Sequence, residues 1–165
     1  MNPNTFRNLS YGVYIVSTLD KGRPTGCTAN CVVQVTASPA TLSVSLNHDN
    51  YTTHCVRESG LFAVSILAED SPPILIGSFG FRSGRDTDKF ANVESEVRSG
   101  VPVLKAGCGY IVCKVVGGME TSTHTVFLGE VIDADLRPGT PMTYAYYHSV
   151  IKGKTAKNAP TYIAD

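Results

Sequence analysis

The chain has no tryptophan, no C-x-x-C pair and no excess of either charge, with 14 Lys and Arg against 14 Asp and Glu in 165 residues. Each absence removes a class of function. Without a basic field there is nothing to displace counterions from a phosphate backbone, so nucleic-acid binding is not expected. No apolar run approaches the roughly 18 residues of a membrane span, and the opening MNPNTFRNLSYG has no apolar signal core. The expectation is a cytoplasmic chain with no membrane partner. The five cysteines are an odd number. Cys27 and Cys31, on one strand face, would stand about 13 Å apart, too far for a disulfide or a shared metal. Structural zinc and rubredoxin-type iron want short paired spacings, so no metal is expected and the thiols read as reduced and mostly buried. No G-x-G-x-x-G joins a strand to a helix, and there is no Walker-A, G-x-S-x-G or H-E-x-x-H sequence. His48, His54, His124 and His148 are scattered without metal-ligand spacing.

What is present lies mainly in residues 25–67, where runs with a two-residue period occupy 27–36, 41–47 and 61–67. In the middle run Leu42, Val44 and Leu46 fall on one face, and Thr41, Ser43, Ser45 and Asn47 on the other. Such strict alternation means that one face packs on a core while the other presents hydrogen-bonding groups. The segment HDNYTTH then leads into a short helix, offering backbone N–H groups, an Asn50 cap and the hydroxyls of Thr52 and Thr53 to an anion. A hydroxyl-lined strand feeding a helix N-terminus suits a phosphorylated, planar polar cofactor. The same residues also describe a solvated strand face and an ordinary helix cap.

Elsewhere the pattern predicts a short helix over 4–10 capped by Asn2 or Asn4, a strand over 11–19, and turns at 20–24 and 37–40. Gly60 is a natural stop for the helix after Thr52. Ser71-Pro72-Pro73 opens another helix with Ser71 as cap. The loop GFRSGRDTDKF carries Arg82, Arg85 and Lys89, the densest positive cluster and the best supplier of counter-charge to an anion at Thr52. Residues 91–100 read as irregular, 102–104 as a short strand, 109–116 and 124–134 as long strands, and the aromatic 143–150 as a strand or helix. The tail KGKTAKNAPTYIAD has no periodicity, and alone such a tail is disordered. These elements predict one domain over 1–165, with a core at about 9–150 and a tail at 151–165. Its class is mainly β: an antiparallel barrel or sandwich with two or three accessory helices. With only 17% of residues charged, part of the surface is expected to face another subunit.

Taken together, YGVYIVST, GCTANCVVQVTASPATLSVSLN, the N-Y-T-T-H helix start, FGFRSGRDTDKF and THTVFLGEVIDA resemble the flavin reductase-like family with an FMN-binding split β-barrel. The resemblance runs from about residue 9 to 162. It is nearest the subgroup that stands alone or fused to a rubredoxin and ends in something like KGKTAKNAPTY. It implies an antiparallel Greek-key split barrel that binds FMN. Thr28, Ala29 and Asn30 would lie along the pyrimidine edge of the flavin. Ser45, Leu46 and Asn47 would contact ring and ribityl chain, and Asn50, Thr52 and Thr53 would form the phosphate turn. Ser83, Arg85 and Lys89 would close over the phosphate. His124 matches the histidine of the family's G-D-H motif, associated with nicotinamide, although here the motif reads Ser122-Thr123-His124. The implied activity is hydride transfer from NADH or NADPH to FMN, with electrons passing to free flavin, ferric iron, or a rubredoxin-like or flavodiiron-like protein. The implied assembly is a homodimer. A second implied function is an FMN-containing electron-transfer module that oxidises NAD(P)H poorly.

Overall fold

The computed structural model describes residues 1–163. After a 3-10 turn at Pro3–Asn8, where the Asn2 side chain accepts from Asn4 N at 3.1 Å, the strands β1 (Tyr14–Asp20) and β2 (Arg23–Ala29) form a hairpin. Then follow β3 (Val32–Ala37), β4 (Ala40–Asn47), α1 (Tyr51–Ser59), β5 (Leu61–Ile66) and α2 (Pro73–Gly80). The chain continues through β6 (Ser95–Arg98), β7 (Val101–Leu104), β8 (Gly109–Glu120), β9 (His124–Leu136) and α3 (Tyr144–Ser149).

Seven strands form one antiparallel sheet in the order β2-β1-β5-β8-β9-β4-β3. Its two edge strands, β2 and β3, are neighbours in sequence, joined only through Asn30 and Cys31. A sheet whose edges are tied so closely must curl, and the curl brings Cys27 and Ala29 of β2 into one core with Leu42, Val44 and Leu46 of β4. Phe62 and Val64 of β5, Val56 of α1 and Phe127 of β9 complete that core. No ladder joins β2 to β3 among the described residues, and this gap is the split in the barrel. The mainly-β, split-barrel expectation therefore holds. One detail differs: the single run expected over 27–36 is two strands, because the chain leaves β2 at Asn30 and enters β3 at Val32.

Two outer layers cover the barrel. The β6–β7 hairpin packs Val101 and Val103 against Ala63, Tyr110 and Val112, with Leu104 N donating to Ser65 Oγ at 3.0 Å. Part of the 91–100 segment read as irregular is thus strand β6, ordered by its pairing with β7. The second layer places Leu75, Ile76 and Phe79 of α2 and Tyr147 of α3 against Val13, Ile15 and Leu67. Ser71 does not cap α2. Pro72 holds the N-cap position, and Ser71 Oγ accepts from Ala68 N at 2.9 Å. At the far end of α1, Gly60 adopts φ 68°, the left-handed conformation that ends the helix where glycine is favoured. No helix among the described residues is long and apolar enough to cross a membrane.

Candidate functional site

At the split, an elongated cleft opens between β2, the end of β4, α2 and the C-terminal tail. Both ends are open to solvent, and the polar end is the roomier, with about 260 Å3 of free volume against about 50 Å3 at the barrel end. The two ends share Cys27, Asn50, Gly80, Phe81 and Asn158.

The barrel end is lined by Thr28, Ala29 and Asn30 of the β2 exit and by Ser45, Leu46 and Asn47 of β4. Thr28 Oγ1 donates to Ile76 O at 3.0 Å, tying β2 to α2. Ser45 N donates to Cys31 O at 3.1 Å, tying β4 to the crossing between the edge strands. Asn30 is 5% exposed, and its Oδ1 has no hydrogen-bond partner. A buried acceptor left unpaired costs about 1–3 kcal/mol, so this oxygen marks a place where a ligand N–H fits.

The polar end gathers Thr52, Arg82, Ser83, Lys89 and Lys157 around the start of α1. Asn50 occupies the N-cap of α1, yet makes no capping bond with its side chain. Its Oδ1 accepts from Asn158 Nδ2 at 3.0 Å instead. Thr53 N donates to Asn50 O at 2.9 Å, and the amides of Tyr51 and Thr52 receive no side-chain cap. Lys89 is only 6% exposed and donates from Nζ to Gly26 O at 2.7 Å and Phe79 O at 2.9 Å. Burial pulls its pKa below the usual lysine value, and the neighbouring Cys27 partly offsets this. An ammonium has three donors, so one remains for the cleft. Uncapped helix amides and clustered cations together form an anion site.

Three expected residues stand apart. Thr53 is buried and its Oγ1 donates to Asn47 O at 2.6 Å, fixing the turn from behind rather than lining the cleft. The Arg85 guanidinium lies 5.2 Å from the centre of the Tyr51 ring, outside the cleft lining, where Arg82 stands instead. His124 pairs in register with Asn47 across β4 and β9 but lines neither end. Its Nδ1 bonds Thr123 Oγ1 at 2.8 Å and its buried Nε2 has no partner. Burial holds the imidazole pKa below the usual histidine value, against an opposing influence from the Asn158 backbone.

The sequence reading placed no site residue in the tail. Lys154, Thr155, Ala156, Asn158, Ala159 and Pro160 all line the barrel end of the cleft. The tail runs as irregular chain packed on α3, held by side-chain bonds that leave no periodic signal. Phe81, 56% exposed at the mouth, was also missed.

The fold and cleft define a class: a curled antiparallel barrel holding an elongated small-molecule site, with an unpaired acceptor at one end and an anion cradle at the other. A family model described as a flavin reductase like domain matches residues 6–154, and the chain belongs to that family. It is 42% identical to the ferric-chelate reductase (NAD(P)H) of Archaeoglobus fulgidus, over 98% of each chain. It is 40% identical to the high molecular weight rubredoxin of Moorella thermoacetica, over 98% of this chain and 72% of that one. Among solved structures, the flavin reductase PheA2 superposes with a TM-score of 0.74 at 30% identity, covering 87% of this chain and 93% of that one.

Proposed function

We propose that this chain is an FMN-binding, NAD(P)H-dependent oxidoreductase that passes electrons to an acceptor such as free flavin, a ferric chelate or a rubredoxin-type protein. The observation that carries this reading is the pairing, in one cleft, of the unpaired Asn30 Oδ1 with the uncapped start of α1 beside Lys89. A flavin mononucleotide has a polar ring at one end and a phosphate at the other, and both match. When bound, the flavin supplies the chemistry that converts a nicotinamide hydride into electrons for an acceptor.

The chain's own residues do the rest. Asn30 accepts from the ring edge, and Thr28, Ala29, Ser45, Leu46 and Asn47 form the wall against which the ring and its side chain are oriented. Thr52, Ser83, Arg82 and the third N–H of Lys89 hold the phosphate, with the α1 amides contributing partial positive charge. Leu46 and Ala29, continuous with the barrel core, exclude water from beneath the ring. Arg85 supports this cradle through Tyr51. His124, whose pKa burial holds below the usual histidine value, positions the nicotinamide at the end of β4.

The assembly in this reading is a homodimer. Val33 and Val35 on the edge strand β3 are 61% and 53% exposed, an unpaired apolar edge that a second copy would cover. Lysines at both positions should yield monomers by light scattering. Five free thiols suit a reducing compartment, and we place the chain in the cytoplasm.

The test is an absorbance spectrum of the purified protein after FMN addition, followed anaerobically as NADH and then NADPH are added. Flavin bands that bleach within seconds support the reductase and identify the donor. A protein that binds no FMN overturns the reading. A specific observation favours the electron-transfer module as second reading: His124, the residue assigned to nicotinamide, lines neither end of the cleft. Bands that stay oxidised until dithionite is added would select that module.

A further inference from the structure

The tail beyond the matched family domain makes a connected set of contacts with the cleft. Gly153 is pressed onto Tyr147, where a Cβ would stand 2.0 Å from Cζ, so only glycine passes there. From that point the tail is pinned by the α3 aromatics. Tyr147 OH donates to Lys154 O at 3.1 Å, and Tyr144 OH meets Thr155 Oγ1 at 2.7 Å. The tail then crosses the cleft and is pinned twice on the far side, by Asn158 Nδ2 to Asn50 Oδ1 at 3.0 Å and by Thr161 Oγ1 accepting from Asn30 Nδ2 at 2.8 Å. Both partners, Asn30 and Asn50, are residues of the proposed cofactor site.

The direction of the hydrogen bonds follows from one hydroxyl. Thr161 Oγ1 donates to Tyr144 OH at 3.1 Å. With its own proton committed, Thr161 can only accept from Asn30, which fixes the amide with Nδ2 on the tail and Oδ1 left over. The unpaired acceptor of the cleft is thus oriented by the tail.

The tail lines the barrel end of the cleft and narrows it to about 50 Å3, while the polar end keeps about 260 Å3. We propose that residues 155–161, outside the matched 6–154, are a strap that completes the cofactor site. The strap roofs the cleft and holds the Asn30 amide so that Oδ1 faces a ring N–H. It makes the flavin a resident group rather than a freely exchanged one. This inference rests on the FMN reading above.

The experiment compares three forms of the protein, with FMN itself as probe: the full chain, a chain ended after Thr155, and the full chain carrying Asn158→Ala with Thr161→Ala. Ending after Thr155 keeps the contacts to Tyr144 and Tyr147. Affinity is read by titration of flavin fluorescence, and release by its recovery on dilution. The shortened chain should still bind FMN but release it about tenfold faster, a change of about 1.4 kcal/mol. The double variant should release it a few-fold faster. Equal release rates would overturn the strap while leaving the FMN reading intact. Tighter binding by the shortened chain would show a competing plug and overturn it too. If the full chain binds no FMN, the functional reading falls and the strap's role with it. Should the shortened chain fail to fold by circular dichroism, the double variant decides alone.

Discussion

The barrel interior and the strap face each other across one cleft and are held by different physics. The interior is a set of side chains with no polar partners to find: Val44 and Phe62 are completely buried, and their stability comes from apolar area removed from water and from close packing. The strap is irregular backbone fixed at Thr155, Asn158 and Thr161 by side-chain hydrogen bonds, each with a net worth of about 0.5–1.5 kcal/mol. The first should set whether the chain folds, the second how it holds a ligand. A site bounded by a rigid wall on one side and a loosely held cover on the other can keep its geometry while admitting a bulky molecule.

That contrast can be broken by substitution. Phe62→Ala should have the largest effect, about 3–5 kcal/mol lost in denaturant unfolding, because a fully buried ring leaves a cavity that β5 cannot close. A loss below about 1 kcal/mol would mean that the barrel is not the stabilising unit. Lys89→Met comes next and straddles the two regions. It strands the carbonyls of Gly26 and Phe79 and should cost on the order of 2 kcal/mol. FMN affinity should fall with it, whereas riboflavin, which lacks the phosphate, should bind the variant as it binds the parent. Thr161→Val should cost about 1–2 kcal/mol of stability, since the bonds to Asn30 and Tyr144 are both lost and the buried Asn30 amide is left unpaired. Thr161→Val costing as much as Phe62→Ala would show that strap and barrel form one cooperative unit.

The same contrast explains what was legible in the amino-acid order. Barrel strands carry a period: Leu42, Val44 and Leu46 announce their inward face because each alternate position must be apolar. The end of α1 was legible for a similar local reason, since Gly60 acts within a turn of where it stands, whereas the side chain of Asn50 turns to Asn158 instead of capping. The break at Asn30–Cys31 was not, because both sides of it alternate and only the curl of the sheet decides where the run stops. Arg85 could not be separated from Arg82, three residues away on one charged loop, because loop geometry alone turns one toward Tyr51 and the other into the cleft. The strap was least legible. Asn158 and Thr161 contact Asn50 and Asn30, 108 and 131 residues distant, and a contact at that range leaves no trace in its own neighbourhood.

The smallest expected effect lies where strand end and strap meet, at His124. Its pKa is held below the usual 6.5 chiefly by burial, with the charge of His48 acting in the same direction and the Asn158 backbone opposing. The unfolded chain therefore takes up this proton at a higher pH than the folded chain. Wherever the unfolded state binds more protons, stability rises with pH. The contribution is fully present above about pH 6.5, declines as pH falls toward the depressed folded value, and is constant below it. His124→Asn should flatten the stability–pH curve in that window without shifting the acid limb set by Asp20, whose pKa is lowered by its bonds to Arg23 and Tyr51. Ending the chain after Thr155 removes the Asn158 backbone, which raises this pKa, and should steepen the curve in the same window. If the slope survives truncation unchanged, the strap closes over the cleft without acting on the end of β4.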